Sequence, residues 1–286
     1  MDAVNGQEKA STPILGPRIA QGRQAEVYAW NGDRAVLKLY QEGLEMQAAE
    51  AAALASLDGT GIAPRLLDTV TLDGRVGLVL QRLDGVDMLT LLQRRPWRLL
   101  SLARMLAHAA LRVHGVRAPS DLPDLIEVLG ERIEAADLDP RLREFALRVL
   151  RTLPAGDRLC HGDLHPGNTM VTADGVSIID WPTATRGVPV ADFARTMLIL
   201  RQGEPPPGTP LVVRMLLSAA RSGFATVFSR TYRRAAPQPL SNVDSWTIVH
   251  AAARLAEGIA AERARLVSIL EAAYHGTPTE PAGGGA

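Results

Sequence analysis

The sequence predicts an α+β fold in two lobes, a small β-rich N-terminal lobe and a larger helical C-terminal lobe. Three observations predict it. Residues 17–81 read as short strands with one helix among them. From Asp87 onward the apolar residues recur at helical spacing, apart from a loop-rich patch at 157–189. The change of period occurs once, at Arg82-Leu83-Asp84-Gly85, a segment short enough to be a hinge. Two lobes on a short hinge make a cleft, a common place for a ligand.

The elements follow in order. Residues 1–16 are polar and mixed and are expected to form a flexible tail. The N-terminal lobe, 17–81, starts with strands at 18–21 and 26–30. Asn31-Gly32-Asp33 is a hairpin turn signal, and 34–40 is the next strand. Residues 44–57 are alanine-rich with helical spacing. Strands at 65–72 and 75–81 are joined at Asp73-Gly74. In the second lobe, 82–274, Asp87 caps a helix running through Leu92, and Pro96 suits the first turn of a long helix ending near Val116. Helices at 121–135 and 141–153 precede the loop-rich patch, which holds strand candidates at 169–171 and 176–179. Helices at 190–202, 209–229 and about 241–273 close the lobe, and 275–286, rich in Gly, Pro and Thr, is expected to be disordered.

Composition excludes several classes. Of 286 residues, 47% are hydrophobic and 22% charged, near the globular average, so disorder throughout is excluded. Lys plus Arg equals Asp plus Glu at 31 each, which argues against a nucleic-acid partner recruited by bulk charge. The single cysteine, Cys160, rules out an intramolecular disulfide and a thiolate zinc cluster. No basic segment leads into an apolar run at the start, and no run approaches a membrane span. The expectation is therefore a cytoplasmic protein without a membrane partner.

The chain has 29 arginines but only two lysines, Lys9 and Lys38. Lys38 sits in the apolar run Ala35-Val36-Leu37-Lys38-Leu39-Tyr40. Where Arg is the default cation, a half-buried Lys suggests a need for a compact ammonium; the plain alternative is a strand residue that snorkels.

The strongest signal is His161-Gly162-Asp163-Leu164-His165-Pro166-Gly167-Asn168, followed by Ile178-Ile179-Asp180 at the end of an apolar strand. Phosphoryl transfer needs a carboxylate to orient the attacking hydroxyl and accept its proton. It also needs oxygen ligands that hold Mg²⁺ against the phosphates. Asp163 suits the first task; Asn168 and Asp180 suit the second. As turn residues these side chains would have an ordinary explanation, but Asn168 is one of only four asparagines, placed five residues after Asp163. His161 reads as a brace for the loop, and Cys160 as a small core residue.

With Gly162 and His165 inside it, this loop resembles the aminoglycoside phosphotransferase family and its choline-kinase-like relatives, written His-Gly-Asp-x-His-x-x-Asn. Protein kinases carry Arg and Lys at those two positions. The resemblance spans about residues 17–270 and implies a bilobal, protein-kinase-like fold. The activity it implies is an ATP-dependent phosphotransferase with Mg²⁺ as cofactor and a small hydroxylated molecule as acceptor. GTP remains open in place of ATP. The alternatives are a metabolite kinase of the same fold, acting on a sugar, choline or homoserine, and a catalytically idle nucleotide-binding protein. Antibiotic resistance is one role the family implies.

The same resemblance implies roles on the nucleotide side. In Ala20-Gln21-Gly22-Arg23-Gln24-Ala25-Glu26-Val27, Gly22 would admit backbone N–H groups to phosphate and Val27 would cover the adenine. Lys38 would meet the α and β phosphates and needs an acidic partner on the next helix. Glu50 precedes Leu54 and Leu57 at i+4 and i+7, on the apolar stripe, and is expected to pair with Lys38. The backbone of Gln81 and Leu83 would face the adenine edge. His165 would approach the phosphates or shape the loop, and Asp192 would open a helix and accept backbone hydrogen bonds from the catalytic loop.

The acceptor side gives conflicting hints. Seven acids and one base, Arg132, lie between 121 and 139; Asp124, Glu127, Glu131 and Glu134 share a helix face. That face is either a solvated surface or, as in aminoglycoside kinases, a hold for a polycation. Residues 205–274 carry eight arginines against four acids, and Pro182 stands where many relatives have an acid. Both departures argue against an aminoglycoside.

Overall fold

A computed structural model describes residues 15–22, 24–32, 34–42, 46–202 and 210–276. The tail expectations for residues 1–14 and 277–286, Asp33 of the hairpin turn, the helix start at 44–45 and the beginning of the helix placed at 209 lie outside the described residues; Leu15 and Gly16, expected in the first tail, belong to a strand, and His275 and Gly276, expected in the last, end a helix.

The N-terminal lobe is a five-stranded antiparallel sheet in the order β1-β2-β3-β5-β4. Its strands are β1 (Leu15–Gln21), β2 (Ala25–Trp30), β3 (Ala35–Tyr40), β4 (Leu66–Leu72) and β5 (Arg75–Gln81). Helix α1 (Met46–Ser56) connects β3 to β4. Alternation along β3 decides what each face carries. Ala35, Leu37 and Leu39 join Trp30 and Val79 in a small core on one face. Val36, Lys38 and Tyr40 take the other face, where Tyr40 packs with Ala53 and Leu54 of α1. Gly77 in β5 is a packing requirement: a Cβ there would lie 2.6 Å from Cδ1 of Leu37.

The second lobe begins with β6 (Gly85–Asp87) and α2 (Met88–Arg94), which Asp87 caps by accepting the N–H of Thr90 at 2.8 Å. A 3₁₀ turn at Pro96–Arg98 leads into α3 (Leu99–Gly115), the long apolar axis of the lobe. Helices α4 (Leu125–Ala135) and α5 (Pro140–Arg151) follow, with Asp124 and Asp139 as N-caps. The loop-rich patch contains β7 (Arg158–Cys160), β8 (Thr169–Thr172), β9 (Gly175–Ile178) and β10 (Thr185–Gly187). These make two small sheets, β6-β8-β9 and β10-β7. Helices α6 (Pro189–Gln202), α7 (Leu211–Ala235), α8 (Val243–Arg254) and α9 (Ala260–Gly276) complete the lobe. One core gathers α3, α7 and the side of the small sheet, and joins α1 across the lobes. A second gathers α4, α5, α6, α8 and α9.

Two expectations change. The single helix expected over 241–273 is two, because Gly258 adopts φ +67° after a 3₁₀ turn at Leu255–Glu257 and ends the first. Strands β6, β7 and β10 have three residues each, too few for a period to show in sequence. Among the described residues no helix is long and apolar enough to cross a membrane.

Candidate active site

The sheet, α1 and the loop-rich patch enclose a cavity of about 1200 Å³ between the lobes. On its N-terminal side, the alternation of β3 brings Lys38 to the cavity wall beside Val36. Glu50 lies on the stripe of α1 that faces the sheet and is 1% exposed. Lys38 Nζ donates to Glu50 Oε2 at 2.6 Å and to Oδ1 of Asp180 at 2.6 Å. Glu50 also accepts the hydroxyl of Tyr40 and, at 3.2 Å, the backbone N–H of Trp181. Burial pushes the Glu50 carboxyl up against the pull of Lys38. The donors gathered around it are those an ionised carboxylate collects. Burial works against the Lys38 ammonium, but the two carboxylates outweigh it and raise its pKa.

The loop at 161–168 runs from β7 to β8. Gly162 has φ +79°, and a Cβ there would sit 2.5 Å from the carbonyl oxygen of Thr183, so only glycine fits. Asp192, in the first turn of α6 and 2% exposed, holds this backbone. Its Oδ1 accepts from Gly162 N at 2.8 Å, and its Oδ2 from His161 N at 3.0 Å and from His114 Nε2 at 3.0 Å. Burial opposes the Asp192 charge, yet these donors hold its pKa at about 2. His161 is wholly buried against Trp181. Its Nε2 donates to the Ile179 carbonyl at 3.1 Å, which fixes the tautomer that lets Nδ1 accept from Asp163 N at 3.2 Å. Burial lowers its pKa, so it stays neutral and braces the loop.

Asp163 sits at the middle of the cavity. Burial favours its neutral form, but the hydrogen bond from His165 and the charge of Arg195 hold it well below the usual carboxylate range. Asn168 Nδ2 donates to the Asp163 backbone carbonyl at 2.9 Å and to its Oδ2 at 3.2 Å. With the nitrogen so engaged, the Asn168 amide oxygen is left to accept from another direction. Asp180 follows β9 with φ +68°, a conformation that Asp tolerates better than most residues. Among the described residues no three His, Cys, Asp or Glu side chains converge as a closed metal site. Asn168 and Asp180 instead offer an open two-oxygen set, which suits a hard cation that keeps waters and phosphate ligands.

The structure brings most of the expected residues together. Lys38, Glu50, Asp163, Asn168 and Asp180 line the cavity with Gly22, Val27, Gln81 and Leu83. Gly22 forms the tight β1–β2 turn, its N–H donating to Ala25 O at 2.9 Å. The backbone N–H of Leu83 makes no hydrogen bond among the described residues. His165 is the exception. It does not line the cavity; its Nδ1 accepts from Gly167 N at 3.0 Å and its Nε2 faces Asp163 Oδ2 at 3.5 Å, so it shapes the loop.

Three residues were not foreseen. Arg195, Arg132 and Glu257 line the end of the cavity beyond Asp163, near Pro182 and Thr183. Arg195 donates to Gly162 O at 3.0 Å and to Glu257 Oε1 at 2.6 Å, and stands 3.9 Å from Asp163 Oδ1. The acids of α4 do not reach this end: Glu127, Glu131 and Glu134 are exposed, and Asp124 is the N-cap, bonded to Arg186 at 3.2 Å. Arg132 was legible in principle. It lies at i+7 from Leu125 and i+3 from Leu129, on the buried stripe of α4.

A model of the phosphotransferase enzyme family matches residues 16–237. No curated protein sequence matches. Among solved structures, the apo thermostable mutant of aminoglycoside phosphotransferase APH(4)-Ia aligns with a TM-score of 0.66 at 14% identity, covering 92% of this chain and 96% of that one. A choline/ethanolamine kinase family protein from Mesorhizobium loti aligns with a TM-score of 0.61 at 16% identity, covering 93% and 89%. The amicoumacin kinase hAmiN aligns with a TM-score of 0.62 at 14% identity, covering 93% and 90%. At such identities the likeness shows the fold, which is the mixed α+β architecture of these kinases. The family match spans well over half of the chain and includes the Lys38 strand and the whole catalytic loop, so the chain belongs to the phosphotransferase enzyme family.

Proposed function

We propose that this protein transfers the γ-phosphate of ATP to a hydroxyl of a small molecule, with Mg²⁺ as the metal. The observation that carries the reading is the convergence of Lys38, Asp163, Asn168 and Asp180 on one cavity. Support also comes from two structures of similar fold. APH(4)-Ia is described in a ternary complex with AMP-PNP and hygromycin B, and hAmiN in complex with AMP-PNP, Ca²⁺ and Ami.

Each residue has a task that its surroundings suit. Val27, Val36, Leu80 and Met170 give the cavity an apolar end for a purine, beside the Leu83 N–H. Lys38, held by Glu50, presents its ammonium to the phosphates. Asn168 and Asp180 would hold the metal, which when bound neutralises phosphate charge. Asp163 orients the acceptor hydroxyl. The hydroxyl oxygen forms the new bond to the γ-phosphorus as the bond to the β–γ bridging oxygen breaks, and ADP leaves. The hydroxyl proton passes to Asp163. A carboxylate held far below the usual range is a weak base. Its main contribution is therefore orientation, with proton transfer late, as a loose transition state permits.

The test is ADP release by the purified chain with Mg·ATP over a panel of hydroxyl compounds, with Asp163→Asn as control. Acceptor-dependent release that the variant abolishes is expected. Nucleotide binding with no turnover on any acceptor, identical in wild type and variant, would overturn the reading.

A further inference from the structure

The acceptor end of the cavity holds an arginine without a hydrogen-bonded or ion-paired partner among the described residues. Arg195 and Arg254 share Glu257: Arg195 donates to its Oε1 at 2.6 Å and Arg254 to its Oε2 at 3.0 Å. Arg254 is matched further by Glu262, at 2.8 Å. Both oxygens of Glu257 are thereby engaged, which leaves it poorly placed to receive a substrate ammonium. Arg132 also lines this end, yet it makes no hydrogen bond or ion pair among the described residues. Burial and repulsion from Arg195 lower its pKa, and the more weakly felt charges of Glu257 and Asp163 only partly offset them. A half-buried arginine with no hydrogen-bonded anion is costly to hold, and a bound anion relieves that cost. Its planar fork fits a carboxylate or a phosphate through two parallel hydrogen bonds.

We propose that Arg132, with Arg195 beside it, binds an anionic group of the acceptor, a carboxylate or a phosphate, and so places that molecule's hydroxyl against Asp163. The inference rests on the phosphotransferase reading for the hydroxyl but not for the anion. It sets the acceptor apart from polycations, which would meet two guanidinium groups here. It also explains why the acidic face of α4 is turned to solvent while its single base turns inward.

Four small probes with related skeletons test it: glycerate, glycerol 3-phosphate, glycerol and choline. Binding to the full chain with Mg·AMP-PNP present is measured by calorimetry, and ADP release with Mg·ATP is measured in parallel. Glycerate or glycerol 3-phosphate is expected to bind more tightly than glycerol and choline, and the stronger of the two identifies the anion. Arg132→Gln should weaken that binding about tenfold to a hundredfold, with Arg132→Lys between. The affinity for Mg·AMP-PNP should change less than twofold in both variants, which also shows that they fold. Four results would overturn the proposal: neither anion binds; the anion binds equally to Arg132→Gln; choline binds best; or the variant loses nucleotide instead of anion. The two readings fail separately. Asp163-dependent turnover of choline would keep the phosphotransferase and remove the anion site. Anion binding lost in Arg132→Gln, with no turnover of any acceptor, would keep the site and remove the phosphotransferase.

Discussion

The side-chain amide of Asn168 is tied to Asp163 twice, to its backbone carbonyl at 2.9 Å and to its carboxylate at 3.2 Å. This contact orients both groups at once: it steadies the carboxylate that would face the acceptor and leaves the amide oxygen free to accept elsewhere. Asn168→Asp keeps the shape but places one carboxylate against another. Turnover should fall by about 10²-fold or more, with a higher divalent-cation requirement. Steady-state ADP release across a Mg²⁺ titration checks this; a variant with wild-type cation dependence would contradict it.

Glu50→Ala should destabilise the chain by about 3 kcal/mol, because it leaves the Tyr40 hydroxyl, the Trp181 N–H and one side of Lys38 without their buried acceptor. Glu50→Gln keeps the volume and one acceptor oxygen. It should cost less stability but still raise the KM for ATP, since Lys38 then lacks a charged partner on the α1 side. Thermal unfolding and ATP kinetics on both variants separate the two effects.

Asp192 gives a pH signature. Its folded pKa of about 2 lies below the ordinary aspartate value of 3.8. The stability it contributes is therefore complete above 3.8 and is lost as pH falls from there toward 2, an amount of about 2 kcal/mol. Asp192→Asn should be less stable at neutral pH, and its deficit should shrink as the pH drops through that window. It should also lose activity, because the N–H groups of His161 and Gly162 lose their anion. Unfolding measured against pH in both proteins tests the sign.

His250 acts in a different window. Burial, with repulsion from Arg195, pushes it from 6.5 down to about 3. Stability from keeping it neutral is complete above 6.5 and falls as pH drops toward 3, by about 2 kcal/mol at pH about 5. In His250→Asn the unfolding temperature should depend less on pH between about 7 and 5.

Much of the site could be read from sequence because its parts are local. Asp163 and Asn168 are five residues apart on one loop, and strand alternation alone puts Lys38 opposite the Leu37 core. Glu50 was found from helix spacing, since a carboxylate on an apolar stripe demands a partner. The acceptor end was not legible, because it is assembled from α4, α6 and the turn before α9, and charge counting saw only the solvated side of α4. Spacing left two roles open for His165; its ring turns onto Gly167 N, the loop-shaping one. In the fold, the expected last helix failed at Gly258, whose left-handed backbone nothing in the apolar period announces.

The 2.6 Å contact of Lys38 with Asp180 joins residues 142 positions apart, across the two lobes. A phosphate oxygen that met the Lys38 ammonium would compete with the Asp180 carboxylate for it. A tethered competitor acts at high effective concentration, and every incoming nucleotide must displace it. Asp180→Asn would weaken this internal rival. Such a variant should bind AMP-PNP without divalent cation at least as tightly as the wild type does, although it turns over poorly. The wild-type chain, by contrast, should bind a nucleotide more weakly when it arrives without its cation, because the Asp180 carboxylate would then face bare phosphate.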